Sequence, residues 1–211
     1  MTRVLLVDDH AVVRTGFRLL LQARPDVTVV GEAESGEAAC QRYVELSPDV
    51  VVMDIAMPGM GGIEALRRIR AHDPQARVLA LSAHDDPMHA RRALREGALG
   101  FLSKRSAPEA LLEAVADVAA GRRYIDPRVA QRLALEDIAG AESSPIKRLS
   151  EREFEVFLRL ARGASVQRIA DDLSLSASTV GTHLYNVKQK LGVSNQSELT
   201  LLAIRHGLIE A

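Results

Sequence analysis

Val50-Val51-Val52-Met53-Asp54-Ile55-Ala56-Met57-Pro58-Gly59 is the stretch that decides the fold. An apolar, β-branched run closes on a single carboxylate, and a Pro-Gly turn follows at once. So short and uninterrupted a run is expected of a strand buried on both faces, as in a parallel sheet. Asp54 then stands at the carboxyl end of a buried strand, the edge where open α/β sheets bind ligands. Taken alone, Asp54 also fits a carboxylate capping the next helix.

Four further runs of the same kind surround it. Val4 to Val7 closes on Asp8-Asp9-His10, and Val27 to Val30 stands alone. Val78 to Leu81 closes on Ser82, and Leu99 to Leu102 closes on Ser103-Lys104. Between them lie helical patterns: Val13, Phe17 and Leu20 before Pro25, then residues 35–47, 61–72, 87–96 and 107–120. Strict alternation with short connections predicts an α/β domain, a five-stranded parallel sheet doubly wound by helices in the flavodoxin-like manner.

Asp8, Asp9, Asp54, Ser82 and Lys104 all fall at strand ends, and in a parallel sheet those ends share one edge. Three carboxylates crowded there repel one another unless a cation offsets them. An all-oxygen site suits the hard cation Mg²⁺, and a lysine adds a point charge suited to phosphate. An acceptor carboxylate, a metal and a lysine are what phosphoryl transfer to Asp54 requires, because charge on the transferring oxygens must be neutralised.

Residues 1–120 resemble the receiver domain of two-component response regulators. The resemblance runs through Val7-Asp8-Asp9-His10, Met53 to Gly59, Leu81-Ser82-Ala83 and Gly100-Phe101-Leu102-Ser103-Lys104. It implies phosphorylation of Asp54 by a sensor histidine kinase. It also implies Mg²⁺ held by Asp9, Asp54 and the Ala56 carbonyl, with Asp8 assisting. Ser82 would swing toward the new phosphate and Phe101 would rotate inward. One departure is Arg105-Ser106 after the lysine, where many receivers carry proline. Ala56 and His84 occupy the positions expected to tune phosphate lifetime. Aspartyl-phosphate hydrolases share the strand-end Asp, Mg²⁺ and lysine, but need a general acid two residues after the nucleophile. Ala56 stands there and cannot donate a proton, so a switch is expected, not a turnover enzyme.

The totals agree with an intracellular regulator. The chain has 211 residues, a formal net charge of −1, no Trp and one cysteine, Cys40, so no internal disulfide can form. Cys40 lies in a helical pattern and reads as core filler. The amino terminus is no signal peptide, and no apolar run approaches the ~20 residues of a membrane helix. A cytoplasmic location is expected, with no membrane partner.

Gly121 to Pro127 breaks the alternation. A helix is expected over residues 128–136, and Gly140 to Pro145 is a linker by composition. The expected division is a receiver over 1–120, a linker over 121–146 and a second domain over 147–211. From Leu149 onward every pattern is helical. Ser150-Glu151-Arg152-Glu153 is a capping box, with Phe154, Phe157, Leu158 and Ala161 as the stripe behind it. A short helix follows Ser165, and Ser176 caps the third. Asn195 opens a fourth, closed by Gly207. In the third helix Val180, Leu184, Val187 and Leu191 face the core. The opposite face carries Ser178, Thr182, Tyr185 and Gln189, flanked by Thr179, Gly181, Asn186, Lys188 and Lys190. It contains no acid, and such side chains can bond phosphates and base edges in a major groove. An ordinary solvated helix face remains the alternative on composition alone, and His183 reads as packing.

Residues 149–207 resemble the four-helix, all-α helix-turn-helix domain of the LuxR/NarL (FixJ) class. The residues that carry this are Leu149 to Glu153, Ile169-Ala170, Leu175 to Val180 and Lys190-Leu191-Gly192-Val193. Within the class, Tyr124 to Pro127 and Glu198 to Leu208 are most similar to the GacA/UvrY/SirA group. That group activates genes for small RNAs that sequester CsrA/RsmA. The resemblance implies DNA contacts from Ser178, Thr179, Gly181, Thr182, Tyr185, Lys188, Gln189 and Lys190. It also implies a homodimer formed on phosphorylation, a double-stranded promoter operator with two half-sites, and RNA polymerase as a further partner. Gly181 departs from the class, which usually has lysine there. Acids and bases balance from Leu149 on, so one copy should bind DNA weakly. The competing reading is a receiver-led protein-interaction module whose helical domain does not read DNA.

Overall fold

The computed structural model describes residues 1–83, 87–138, 145–173, 175–206 and 208–209. Two compact units divide the chain at Leu135/Glu136.

The first unit alternates strands and helices: β1 (Thr2–Val7), α1 (Ala11–Gln22), β2 (Val27–Ala33), α2 (Gly36–Leu46), β3 (Val50–Asp54) and α3 (Gly62–His72). It continues with β4 (Val78–Ser82), α4 (Pro87–Arg95), β5 (Gly100–Ser103), α5 (Pro108–Ala119), β6 (Tyr124–Ile125) and the start of α6 (Pro127–Ile138). All strand pairs are parallel, in the order β2-β1-β3-β4-β5-β6.

The strand period of two splits the core into two layers. Leu5, Val7, Val51, Met53, Ala80 and Phe101 pack into one apolar cluster with Ile63, Leu66 and Ile69 of α3 and Ala90 and Ala93 of α4. Val4, Leu6, Val50, Val52, Leu79, Leu81 and Leu102 pack into the other with Leu111, Ala114, Val115 and Val118 of α5. Every residue of β3, β4 and β5 is buried, as the unbroken apolar runs require.

The five-stranded expectation is corrected to six. Tyr124 and Ile125 pair with Gly100 and Phe101 at the sheet edge. Two residues carry too little periodicity to announce a strand, so the segment reads in sequence as a break. Val129 of α6 is fully buried in the first cluster and Leu133 packs on it, so the opening turns of this helix belong to the sheet-containing unit and are not a free spacer.

The second unit contains a 3₁₀ turn (Pro145–Arg148) and helices α7 (Glu151–Ala161), α8 (Val166–Asp172), α9 (Ala177–Leu191) and α10 (Gln196–Arg205). The capping box forms: Ser150 Oγ accepts from the Glu153 amide, and Glu153 Oε2 accepts from the Ser150 amide. Ser165, Ser176 and Asn195 cap the other three helices. Phe154, Phe157, Ile169, Leu173, Val180, Val187, Leu199 and Ala203 form the interior, while Leu184 is half-buried at its margin. Gly207, expected to close α10, lies outside the described residues.

Candidate functional site

Parallel strands place their carboxyl ends side by side, and the strand order turns back between β1 and β3. Asp8 and Asp9 follow β1, Asp54 ends β3, Ser82 ends β4 and Lys104 follows β5. The sheet register thus gathers at its switch point the five residues that the sequence places at strand ends.

Asp8 and Asp54 are 2 % and 1 % exposed, too buried to be solvated carboxylates. The Lys104 ammonium lies 2.7 Å from Asp54 Oδ2 and 2.5 Å from Asp8 Oδ2. Asp54 Oδ1 accepts from the Ala56 amide at 3.0 Å, and Asp8 Oδ1 accepts from the His10 amide at 2.8 Å. Asp54 therefore does not cap α3, whose first helical residue is Gly62. Instead, the Asp54 backbone carbonyl and the Ile55 Cα lie where a Cβ on Gly62 would stand, 2.0 and 2.8 Å from it. Glycine is needed at that position to let the helix start pass so close to the strand end.

Burial raises the pKa of Asp54, and Lys104 offsets this only in part, with Asp8 adding to the rise. Burial works against the charge on Lys104, but Asp54 and Asp8 together hold its pKa above the usual lysine value. The ammonium is thus the internal counter-charge of a crowded acidic pocket.

That pocket has room for further positive charge. Asp8, Asp9, His10 and Asp54 each present one ligand atom, and these lie within 4.8 Å of one another. Asp9 Oδ1 is buried with no hydrogen-bonded donor, while Asp8 Oδ2 has the Lys104 ammonium 2.5 Å away. Three carboxylates sharing one ammonium, with one buried oxygen lacking a donor, fit a hard divalent cation. His10, which the sequence reading did not count as a ligand, places Nδ1 3.0 Å from Asp9 Oδ1.

Ser82 is 1 % exposed, and its carbonyl accepts from the Lys104 amide at 2.7 Å. Phe101, expected to rotate inward on phosphorylation, is fully buried. His84 lies outside the described residues.

In the helical unit, Ser178, Thr182, Tyr185 and Gln189 are exposed along one face of α9, with Thr179, Gly181 and Lys188 partly exposed beside them. Tyr185 stands out at 63 % exposure, large for an aromatic side chain. Both lysines proposed for this face are engaged within the domain. Lys190 Nζ donates to Glu153 Oε2 at 2.6 Å, and Lys188 Nζ donates to the Ser194 carbonyl at 2.9 Å. Residue type suggested free cations; the tertiary partners that hold them lie far along the chain or past a turn.

Asp126 and Ser106 are the residues that sequence reasoning missed. Asp126 is 3 % exposed and lies between β6 and α6. Its Oδ1 accepts from the Arg128 amide at 2.9 Å, and its Oδ2 accepts from the Ser106 hydroxyl. The available signal was Asp126-Pro127, a capping residue followed by proline at the first helical position.

The chain is similar to known proteins in both of its units. The response regulator receiver domain family matches residues 4–116, and the family of bacterial regulatory proteins of the luxR type matches residues 147–203. The chain is 42 % identical over its whole length to the response regulator GacA of Pseudomonas protegens, covering 99 % of that protein. It is 41 % identical over its whole length to the response regulator UvrY of Escherichia coli, covering 97 % of it. Among solved structures, RcsB of Salmonella enterica serovar Typhimurium, bound to the promoter rprA with the phosphomimetic BeF₃⁻, is 30 % identical. That match covers 95 % of this chain and 97 % of the other at a TM-score of 0.67.

Proposed function

Because the chain belongs to the two-component response regulators that join a receiver domain to a LuxR-type DNA-binding domain, we propose that Asp54 is its phosphoacceptor and that phosphorylation there controls DNA binding through α9. The observation that carries this reading is the Lys104 ammonium held between Asp54 and Asp8 at the edge where β1 and β3 end. A buried acceptor with a cation beside it can take a phosphoryl group and keep its charge matched.

The donor is the phosphohistidine of a sensor kinase. Asp54 supplies the attacking oxygen, a new O–P bond forms as the N–P bond breaks, and the imidazole leaves. Asp9, Asp54 and the Ala56 carbonyl would hold Mg²⁺ with Asp8 assisting, and the ion would neutralise charge on the transferring oxygens. Lys104 then follows the phosphoryl oxygens and Ser82 bonds to one of them. Ala56 offers no side-chain acid for turnover, so the chain is a regulator and not a hydrolase.

Ser178, Thr179, Gly181, Thr182, Tyr185 and Gln189 form the face that enters the major groove. Lys188 and Lys190 reach phosphates only by leaving their present partners. With so few free cations, one copy binds weakly. Two copies on half-sites about one helical turn apart gain affinity by linkage. That the similar protein RcsB binds DNA as dimers supports the two-copy part of this arrangement. The promoters served are those of small RNAs that sequester CsrA/RsmA, with RNA polymerase recruited there, in keeping with the full-length similarity to GacA and UvrY.

The engagement of both lysines is also the observation that favours the second reading, a receiver-led interaction module. Phosphoryl incorporation measured by intact mass, with acetyl phosphate and Mg²⁺, tests the first step. One phosphoryl group is expected on the native chain and none on Asp54→Asn; incorporation into Asp54→Asn would overturn the assignment.

A further inference from the structure

Asp126 begins the connector helix, but its contacts lead back to the phosphoacceptor edge. Its amide donates to the Phe101 carbonyl at 2.9 Å, and its own carbonyl accepts from the Ala130 amide at 2.8 Å. Its carboxylate accepts from the Arg128 amide on one oxygen and from the Ser106 hydroxyl on the other. Ser106 lies two residues beyond Lys104, in the turn whose amides donate to the Ser103 carbonyl and Oγ. One buried side chain therefore joins the helix start to the loop that carries Lys104.

We propose that the Ser106–Asp126 pair is a latch through which the state of Asp54 reaches α6. With Asp54 unmodified, Lys104 is drawn to Asp54 and Asp8 and its loop presents the Ser106 hydroxyl to Asp126. A phosphoryl group moves the ammonium toward new oxygens, and the loop moves with it. The buried Asp126 oxygen then loses its donor, a state that a buried carboxylate tolerates poorly. The first two turns of α6, with Val129 and Leu133 packed on the receiver core, loosen in response. The ligand-like change biases a two-state contact, which is all that coupling requires. Asp126 is a positioning residue here and touches no phosphate. The inference rests on the proposed modification of Asp54.

The test is amide hydrogen exchange on the full-length protein, with and without Mg²⁺ and BeF₃⁻, for the native chain, Ser106→Ala and Ser106→Thr. In the native chain, exchange at Arg128 to Leu133 should rise several-fold when the analogue is added. In Ser106→Ala it should already be high without the analogue and change little. Ser106→Thr, which keeps the hydroxyl, should restore the native response. A merely structural serine would shift thermal stability and leave the response to the analogue intact, and that result would overturn the latch. Native protection that changes around Ala56 and Lys104 but not in α6 would overturn the latch alone. No change near Ala56 and Lys104 would instead remove the phosphorylation reading, and the latch with it.

Discussion

The Lys104 ammonium lies 2.7 Å from an Asp54 carboxylate oxygen, with the lysine side chain 10 % and the aspartate side chain 2 % exposed. At that depth the pair is not one of the weak ion pairs of a protein surface. Lysine is the counter-charge of the unmodified site and the nearest cation for a phosphoryl group formed on it.

Removing that cation should be costly. Lys104→Met leaves Asp8 and Asp54 facing each other across a buried pocket. Loss of one partner of a buried pair destabilises by about 3 kcal/mol. Millimolar Mg²⁺ should recover part of this, because it binds the folded carboxylates and not the unfolded chain. Thermal melts with and without Mg²⁺ check both halves: the variant should gain more from the metal than the native chain does.

A pH dependence is expected in the helical unit from Glu153. Burial alone would raise its pKa, but the bonds from Lys190 and from Ser150 outweigh burial and hold it below the usual 4.5. A carboxyl depressed on folding stabilises above its unfolded pKa, and that contribution disappears as pH falls through the folded value. Protection of the α7 and α9 amides in the full-length protein should therefore weaken below about pH 4.5. In Glu153→Gln this part of the pH dependence should be absent. Lys190→Gln should reduce the same protection at neutral pH, as a pin between α7 and α9 would.

Gly181 sits inside α9 where a Cβ would meet nothing within 4 Å. Its φ is not in the left-handed region. Gly181→Ala should therefore stabilise the helix by about 1 kcal/mol. Binding should move the other way, because added bulk on the face proposed to enter the groove changes what can approach the backbone. Gly181→Asn should shift the base preferred at one position of each half-site while leaving the melting temperature no lower than native. Selection from random duplexes beside a thermal melt reads both.

The edge that gathers the carboxylates and Lys104 was legible in the sequence because neighbouring strands of a parallel sheet bring their carboxyl ends to one side. Asp8, Asp54, Ser82 and Lys104 could be placed on one edge from strand ends alone. The connector was not legible for the opposite reason. Tyr124-Ile125 is a strand only because Gly100 and Phe101 pair with it, and a two-residue strand has no pattern of its own. Ser106 and Asp126 are twenty residues apart, and nothing local announces that they meet. On α9 the apolar stripe could be read from periodicity, but the fates of Lys188 and Lys190 depend on the Ser194 carbonyl and on Glu153.

The central claim is that Asp54 chemistry governs DNA affinity. The most direct measurement is a titration of the full-length protein against random-sequence duplexes, with and without acetyl phosphate and Mg²⁺, beside Asp54→Ala. The account predicts sequence-selective binding that tightens at least about tenfold on phosphorylation, a coupling of about 1.4 kcal/mol, and that does not tighten in Asp54→Ala. Selective binding equally strong in both states, or tightening that survives Asp54→Ala, would contradict it.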